Sequence, residues 1–304
     1  MDYVLRTTNL CKHYKNFKAL NGLTMNVPKG SIYGFVGRNG AGKTTLIRMV
    51  CGIQFPTDGN FELYGVKNTD EKITDTRRKM GAVIETPSII PYLNARKNLE
   101  MQYDIMGMPD YKGIDELLDL VGLKNTGKKL AKNFSLGMRQ RLGIAVALCG
   151  NPDLLVLDEP INGLDPQGII DMRELILKLN REKKITIIIS SHILDELSKI
   201  ATHYGFINDG RIVREMSAEE LEQECRKCMR INVTDTTVLA RVLDTMKLDY
   251  KIIDNELADI YGSPNITDLA LSLWDEKCKI ISVSEHDENL ESFFISLVGG
   301  GSDE

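Results

Sequence analysis

The sequence predicts an α/β fold. It reads as an open sheet of buried strands with helices between them, an antiparallel β edge, a helical insertion and a small α+β unit at the C-terminal end. Three observations lead there. Short apolar runs, Ser31-Ile32-Tyr33-Gly34-Phe35-Val36, Leu154-Leu155-Val156-Leu157 and Ile185-Thr186-Ile187-Ile188-Ile189, have the length and residue types of fully buried strands. Each run ends on glycine, on acids or on Ser-Ser-His, and a helical pattern follows. The composition, 42% hydrophobic and 27% charged over 304 residues, suits one large domain with a small companion.

A net charge of −5 does not predict a nucleic-acid footprint. No apolar run approaches the roughly 18 residues that a bilayer-spanning helix needs. The first residues, Met1-Asp2-Tyr3-Val4-Leu5-Arg6, lack the pattern of a secretory signal. The six cysteines are scattered, so reduced thiols are expected. Cys225 and Cys228 have no second pair or nearby histidines to complete a zinc site.

At the start of the chain, Val4-Leu5-Arg6-Thr7-Thr8 and Phe17-Lys18-Ala19-Leu20 read as edge strands, with a turn at Asn21-Gly22. Tyr14 lies between them. It either stacks on a nucleotide base or packs on the sheet. The next feature is Gly37-Arg38-Asn39-Gly40-Ala41-Gly42-Lys43-Thr44, which fits the phosphate-binding pattern G-x-x-x-x-G-K-[ST] between a strand and a helix. Glycines let the backbone wrap tightly and aim its N–H groups inward. The helix through Thr45 adds its dipole and unpaired amides. Lys43 supplies a point charge for the β- and γ-phosphates, and the Thr44 hydroxyl suits Mg²⁺.

Pro56-Thr57-Asp58-Gly59 reads as a turn and Phe61-Glu62-Leu63-Tyr64-Gly65 as a strand. Met80-Gly81-Ala82-Val83-Ile84-Glu85 is a further strand that ends on a carboxylate. Ligands of open α/β sheets lie at such ends, so Glu85 is a metal or water ligand, or else a solvated loop residue. Residues 87–150 turn helical. Asn94 caps one helix, Gly107-Met108-Pro109 ends it, and Ile114, Leu117, Leu118 and Val121 form an apolar stripe stopped by Gly122. Ser135, Gly137 and the helix they open make either an anion site or an ordinary cap.

Asp158 and Glu159 follow a buried strand at once. Acids at such a tip are costly unless they serve a ligand. Asp158 is placed to position Mg²⁺, and Glu159 to orient and deprotonate a water. The competing reading, a helix-capping pair, is weaker beside a phosphate loop. Asn162-Gly163-Leu164-Asp165 leads to Pro166 at the first turn of a helix. His192 closes the following strand, either as a structural residue or as a donor to a γ-phosphate oxygen. From residue 221 the order is strand 229–233, helix 238–246, strands 250–253 and 257–261, helix 266–274 and strand 280–283, which suggests a ferredoxin-like domain. A last helix begins at Asn289, and the tail 299–304 is expected to lack structure.

The order of these motifs resembles an ATP-binding cassette (ABC) ATPase, a P-loop NTPase core with an antiparallel β edge and a helical subdomain. The resemblance covers residues 1–220, with the helical subdomain at about 87–150 and residues 221–304 as an accessory domain. Walker A is residues 37–44, the signature 134–138, Walker B 154–158 followed by Glu159, the D-loop 161–165 and the switch histidine His192. The resemblance implies ATP and Mg²⁺. It implies nucleotide binding by Gly37, Arg38, Asn39, Gly40, Ala41, Gly42, Lys43, Thr44 and Thr45, with Tyr14 on adenine. Thr44, Glu85 and Asp158 would organise the metal, and Glu159, His192 and Lys43 would serve catalysis. It also implies a second copy bound head-to-tail, whose Ser135 and Gly137 cover the γ-phosphate.

Two departures stand out. Leu136 and Met138 replace a glycine and a glutamine of the usual Leu-Ser-Gly-Gly-Gln signature, and Glu85 replaces the usual Q-loop glutamine. With the run from Phe134 to Ala145, they resemble the ATPases of bacitracin-resistance and lantibiotic self-protection exporters. That group implies separate transmembrane permease subunits and a place at the cytoplasmic face of the plasma membrane. The loop Pro87-Ser88-Ile89-Ile90-Pro91-Tyr92-Leu93 is the expected coupling surface. A soluble ABC protein acting on ribosomes or nucleic acid is disfavoured by the single cassette and the acidic balance. The altered signature and Glu85 leave room for a regulatory cassette with little hydrolysis.

Overall fold

The structure is a computed structural model that describes residues 2–225, 228–262, 265–286 and 290–299. The chain divides into two compact units, 1–218 and 219–304. In the first unit the elements are β1 (Tyr3–Tyr14), β2 (Phe17–Pro28), β3 (Ile32–Val36), α1 (Lys43–Val50), β4 (Asp58–Leu63), β5 (Val66–Lys67), α2 (Ile73–Arg77) and β6 (Met80–Val83). There follow α3 (Ala95–Met106), α4 (Ile114–Leu120), α5 (Leu136–Leu148), β7 (Leu154–Asp158), α6 (Pro166–Lys183), β8 (Thr186–Ser191), α7 (Leu194–Ser198), β9 (His203–Asn208) and β10 (Arg211–Ser217).

The central sheet has the order β10-β9-β3-β8-β7-β6, and only β10 among these strands runs antiparallel to its neighbour. Every residue of β3, β7 and β8 is buried. A strand covered on both faces cannot alternate apolar with polar residues, which is why these segments are continuous apolar runs. Because β3, β6, β7 and β8 are parallel, their C-terminal ends share one edge. The glycine loop, Glu85, Glu159 and His192 all leave the sheet there.

A second, antiparallel sheet has the order β2-β1-β4-β5. It corrects one expectation. Asn21-Gly22 is not a turn, since β1 and β2 run 12 residues each and join at Lys15-Asn16. The register shifts between Leu10↔Leu23 and Cys11↔Asn21, leaving Gly22 as an extra residue at φ 77. The positive φ that marks a turn in sequence here serves a β-bulge. In the helical stretch, Asn94 accepts the amide of Lys97 at 2.9 Å, Gly107 closes α3 at φ 67, and Ser135 caps α5.

The second unit comprises α8 (Ala218–Glu224, whose first residue belongs to the first unit), β11 (Cys228–Val233), α9 (Thr236–Met246), β12 (Asp249–Ile252), β13 (Leu257–Tyr261), α10 (Ile266–Asp275), β14 (Ile280–His286) and α11 (Leu290–Gly299). Its antiparallel sheet has the order β12-β13-β11-β14. That is the ferredoxin-like arrangement of a β-α-β-β-α-β chain. Met229, Ile231 and Val233 of β11 form a core with Leu239 and Leu243 of α9 and Leu269 and Leu273 of α10. Gly299, expected in an unstructured tail, is the last residue of α11, while Asn289 and residues 300–304 lie outside the described residues.

One buried polar contact ties the first unit's sheets together. Tyr33, 1% exposed, donates to Glu215 at 2.6 Å, and the backbone amide of Asn26 donates to the same carboxylate oxygen at 2.8 Å. Gly205 makes room, since a Cβ there would lie 2.1 Å from the Tyr33 hydroxyl oxygen. Burial, with the Glu215 charge adding to it, pushes the Tyr33 phenol well above its ordinary 10.0. A raised folded value means that this contribution is complete below the unfolded value and is lost as pH climbs toward the folded one. Tyr33→Phe should cost about 1–2 kcal/mol near neutral pH. The gap between wild type and variant should hold up to about pH 9 and narrow as the pH rises past about 10 in urea unfolding.

Candidate nucleotide site

The glycine loop is set by close packing. A Cβ on Gly37 would lie 2.5 Å from Ile207 Cγ2, and one on Gly42 (φ 109) would lie 2.4 Å from the Ala19 carbonyl oxygen. Gly40, at φ 84, faces open space. The loop is thus pinned at both ends and open in the middle. Lys43 opens α1 and is only 5% exposed. Its ammonium folds back into the loop, donating to the carbonyls of Gly37 (2.6 Å) and Arg38 (3.3 Å). These carbonyls hold the charge within the loop, and they are neutral partners that an anion could displace.

The acids at the tip of β7 are held from two sides. Thr44 Oγ1 donates to Asp158 Oδ2 at 2.9 Å, and Ser190 Oγ donates to Asp158 Oδ1 at 2.5 Å. Ser190 pairs in register with Asp158 on the neighbouring strand. Its carbonyl and hydroxyl oxygens also accept the Glu159 amide, at 3.2 and 3.0 Å. Glu159 then turns into the left-handed region at φ 50. Its Oε1 lies 3.4 Å from the Lys43 ammonium, and its Oε2 lies 2.8 Å from His192 Nδ1. Lys43, Thr44, Asp158, Glu159 and His192 thereby form one connected set. Ser190 is the residue that the sequence reading did not assign.

The other candidate residues lie around this set. Glu85, at φ 56, lines a cavity of about 510 Å³ together with Thr44, Pro87, Gln140, Asp158 and Glu159. Its carboxylate is paired with Arg48 of α1 at 2.5 Å. Ser135 Oγ accepts the amide of Met138 at 3.2 Å, which is a helix cap, and neither Ser135 nor Gly137 lines that cavity. Tyr14 is 41% exposed at the end of β1, its hydroxyl bonded to Gln54 Oε1 at 2.6 Å and its ring 5.3 Å from the Lys12 ammonium. Among the described residues no three His, Cys, Asp or Glu side chains cluster as a self-sufficient metal site. One hydroxyl beside one carboxylate is nevertheless the kind of donor set that fits Mg²⁺, an ion that keeps waters and takes phosphate oxygens.

A family model described as ABC transporter matches residues 20–162. The chain is 39% identical to the bacitracin transport ATP-binding protein BcrA of Enterococcus faecalis, over 99% of this chain and 98% of that protein. This chain belongs to the ABC transporter ATP-binding proteins. As a member of that family it is an ABC ATPase that binds ATP. It is also 41% identical to the lantibiotic transport ATP-binding protein SrtF of Streptococcus pyogenes, over 72% of this chain and 95% of that protein. Among solved structures it is similar to the ATP-binding cassette MJ0796 in a dimeric post-hydrolysis state bound to ADP and Pi. The TM-score is 0.64 at 26% identity, over 70% of this chain and 98% of that one.

The hydrogen bonds of Ser190 give a direct test of how the ABC core holds its acids. Ser190→Ala removes a donor from Asp158 and one acceptor from the Glu159 amide, in a position with no solvent exposure. A loss of about 1–3 kcal/mol in unfolding free energy is expected, together with slower ATP hydrolysis. Denaturant unfolding and phosphate release measure the two effects.

Proposed function

We propose that this ABC ATPase powers export of antimicrobial peptides of the bacitracin or lantibiotic class. Two copies would act together, bound to separate transmembrane permease subunits at the cytoplasmic face of the membrane. The carrying observation is the Glu159 carboxylate, shared between Lys43 and His192 beside the Thr44–Asp158 pair. The names of the relatives support the transport class, and the dimeric cassette supports the pairing.

In this reading ATP lies on the loop of residues 37–45 with its adenine against Tyr14. Lys43 exchanges the Gly37 and Arg38 carbonyls for phosphate oxygens. Thr44 and Asp158 would hold Mg²⁺, which neutralises charge on the β- and γ-phosphates. Glu159 takes a proton from the water that attacks the γ-phosphorus as the bond to the leaving ADP oxygen breaks. Once Lys43 turns to phosphate, His192 would still orient the Glu159 carboxylate through Nδ1, leaving its other ring nitrogen to donate to the γ-phosphate. Ser135 and Gly137 of the second copy close the site from the far side, with the α5 amides facing the phosphate.

Glu159→Gln should lower phosphate release by about 10²–10⁴-fold, the range for a lost general base. ATP-dependent dimerisation should survive, as read by size-exclusion chromatography with Mg²⁺-ATP. Unchanged turnover would remove Glu159 from its role.

The loop after Glu85 suits the permease contact. Asn98, 5% exposed, accepts the Ile90 amide at 2.6 Å and donates to the carbonyls of Ile90 (3.2 Å) and Asn94 (3.0 Å). The amides of Lys132 and Ala131 bond the carbonyls of Pro91 and Leu93, each at 2.8 Å. The loop is thus braced by hydrogen bonds to α3 and to residues 131–132 while it presents Ile90 (36% exposed) and Tyr92 (73% exposed). Ile90→Glu and Tyr92→Glu should leave ATP affinity within about twofold, as for surface changes away from a site, and abolish peptide export by whole cells. Normal export in both variants would exclude this surface.

A further inference from the structure

Glu85 carries a charge that the proposed hydrolysis does not use. It lines the same cavity as Asp158 and Glu159, so three carboxylates border one space. A bound polyphosphate would add more negative charge. Glu159 is answered by Lys43 and Asp158 by two hydroxyls. Glu85 is answered by Arg48, whose guanidinium Nη2 lies 2.5 Å from Oε1. Arg48 is four residues beyond Thr44 on α1, one helical turn along the same face.

We propose that Arg48 is a positioning residue that holds the Glu85 carboxylate against α1, apart from the Thr44–Asp158 pair, until nucleotide arrives. The inference rests on the nucleotide site proposed above. Both partners are partly open to solvent, Arg48 36% and Glu85 57% exposed. Such a pair contributes little to stability and is easily exchanged, which is what a releasable tether needs. Glu85 is itself in the left-handed region, two residues beyond the end of β6, so its side chain leaves from the loop rather than from the strand. Without Arg48 its charge would join Asp158 in the cavity. Divalent cations would then bind more tightly to the nucleotide-free protein, and ATP would meet a more negative entrance. With glutamine at position 85 there is no charge to hold, and Arg48 should lose this role.

The test is a double-mutant cycle on the full-length protein, with Arg48→Ala, Glu85→Gln and both together. One readout is Mn²⁺ binding to the nucleotide-free protein by electron paramagnetic resonance. The other is binding of a fluorescent ATP analogue with Mg²⁺. Arg48→Ala should tighten Mn²⁺ and weaken the ATP analogue, each by about three- to tenfold. In the Glu85→Gln background the same change should shift either constant by less than about twofold. Arg48→Lys, which keeps the charge, should restore most of the wild-type values. Arg48→Gln keeps part of the stem and repeats the comparison if alanine unfolds α1. Equal shifts in both backgrounds, or no shift in Mn²⁺ affinity, would overturn the proposal. Failure of the wild type to bind the ATP analogue would instead overturn the nucleotide site itself.

Discussion

The Glu159 carboxylate is divided between a lysine and a histidine, and the site depends on that division. A carboxylate beside Asp158, itself 3% exposed, would be repelled if it stood alone. The Lys43 ammonium at 3.4 Å and the His192 ring at 2.8 Å take one oxygen each. The three side chains come from three different strand-to-helix connections, after β3, β7 and β8. Only a parallel sheet brings those ends to one edge, so the charge balance of the site is a consequence of topology.

Most of that edge was legible in the chain itself. Continuous apolar runs identified the covered strands, and the residues directly after them are the ones the fold gathers. Ser190 was not legible, because its role comes from register. It stands opposite Asp158, and nothing within a single strand says which residue its neighbour will meet. Arg48 was hidden for a similar reason. Its helix was plain, but its partner lies 37 residues away on another connection. Gly22 shows the opposite error, where a true local signal, a residue suited to positive φ, served a bulge inside a strand rather than a turn. Ser135 and Gly137 do not line the cavity of their own copy. In the proposed mechanism they complete a site on another chain, which a lone protomer cannot display.

Two of the three residues that depart from the common cassette pattern border the same cavity. Leu136 and Glu85 both line it, one from the start of α5 and one from the loop after β6. Pro87 packs against α5 so closely that a Cβ at Gly143 would lie 2.5 Å from its ring. A change in Glu85 is therefore linked by a short, tightly packed path to the helix that carries the signature.

A crystal structure of the Glu159→Gln protein with Mg²⁺-ATP is the decisive measurement. Two copies should enclose the nucleotide, with the Lys43 ammonium moved from the Gly37 carbonyl onto phosphate oxygens and the partner's signature helix facing the γ-phosphate. A nucleotide bound elsewhere, or a Lys43 still seated on the loop carbonyls beside bound ATP, would contradict this assignment.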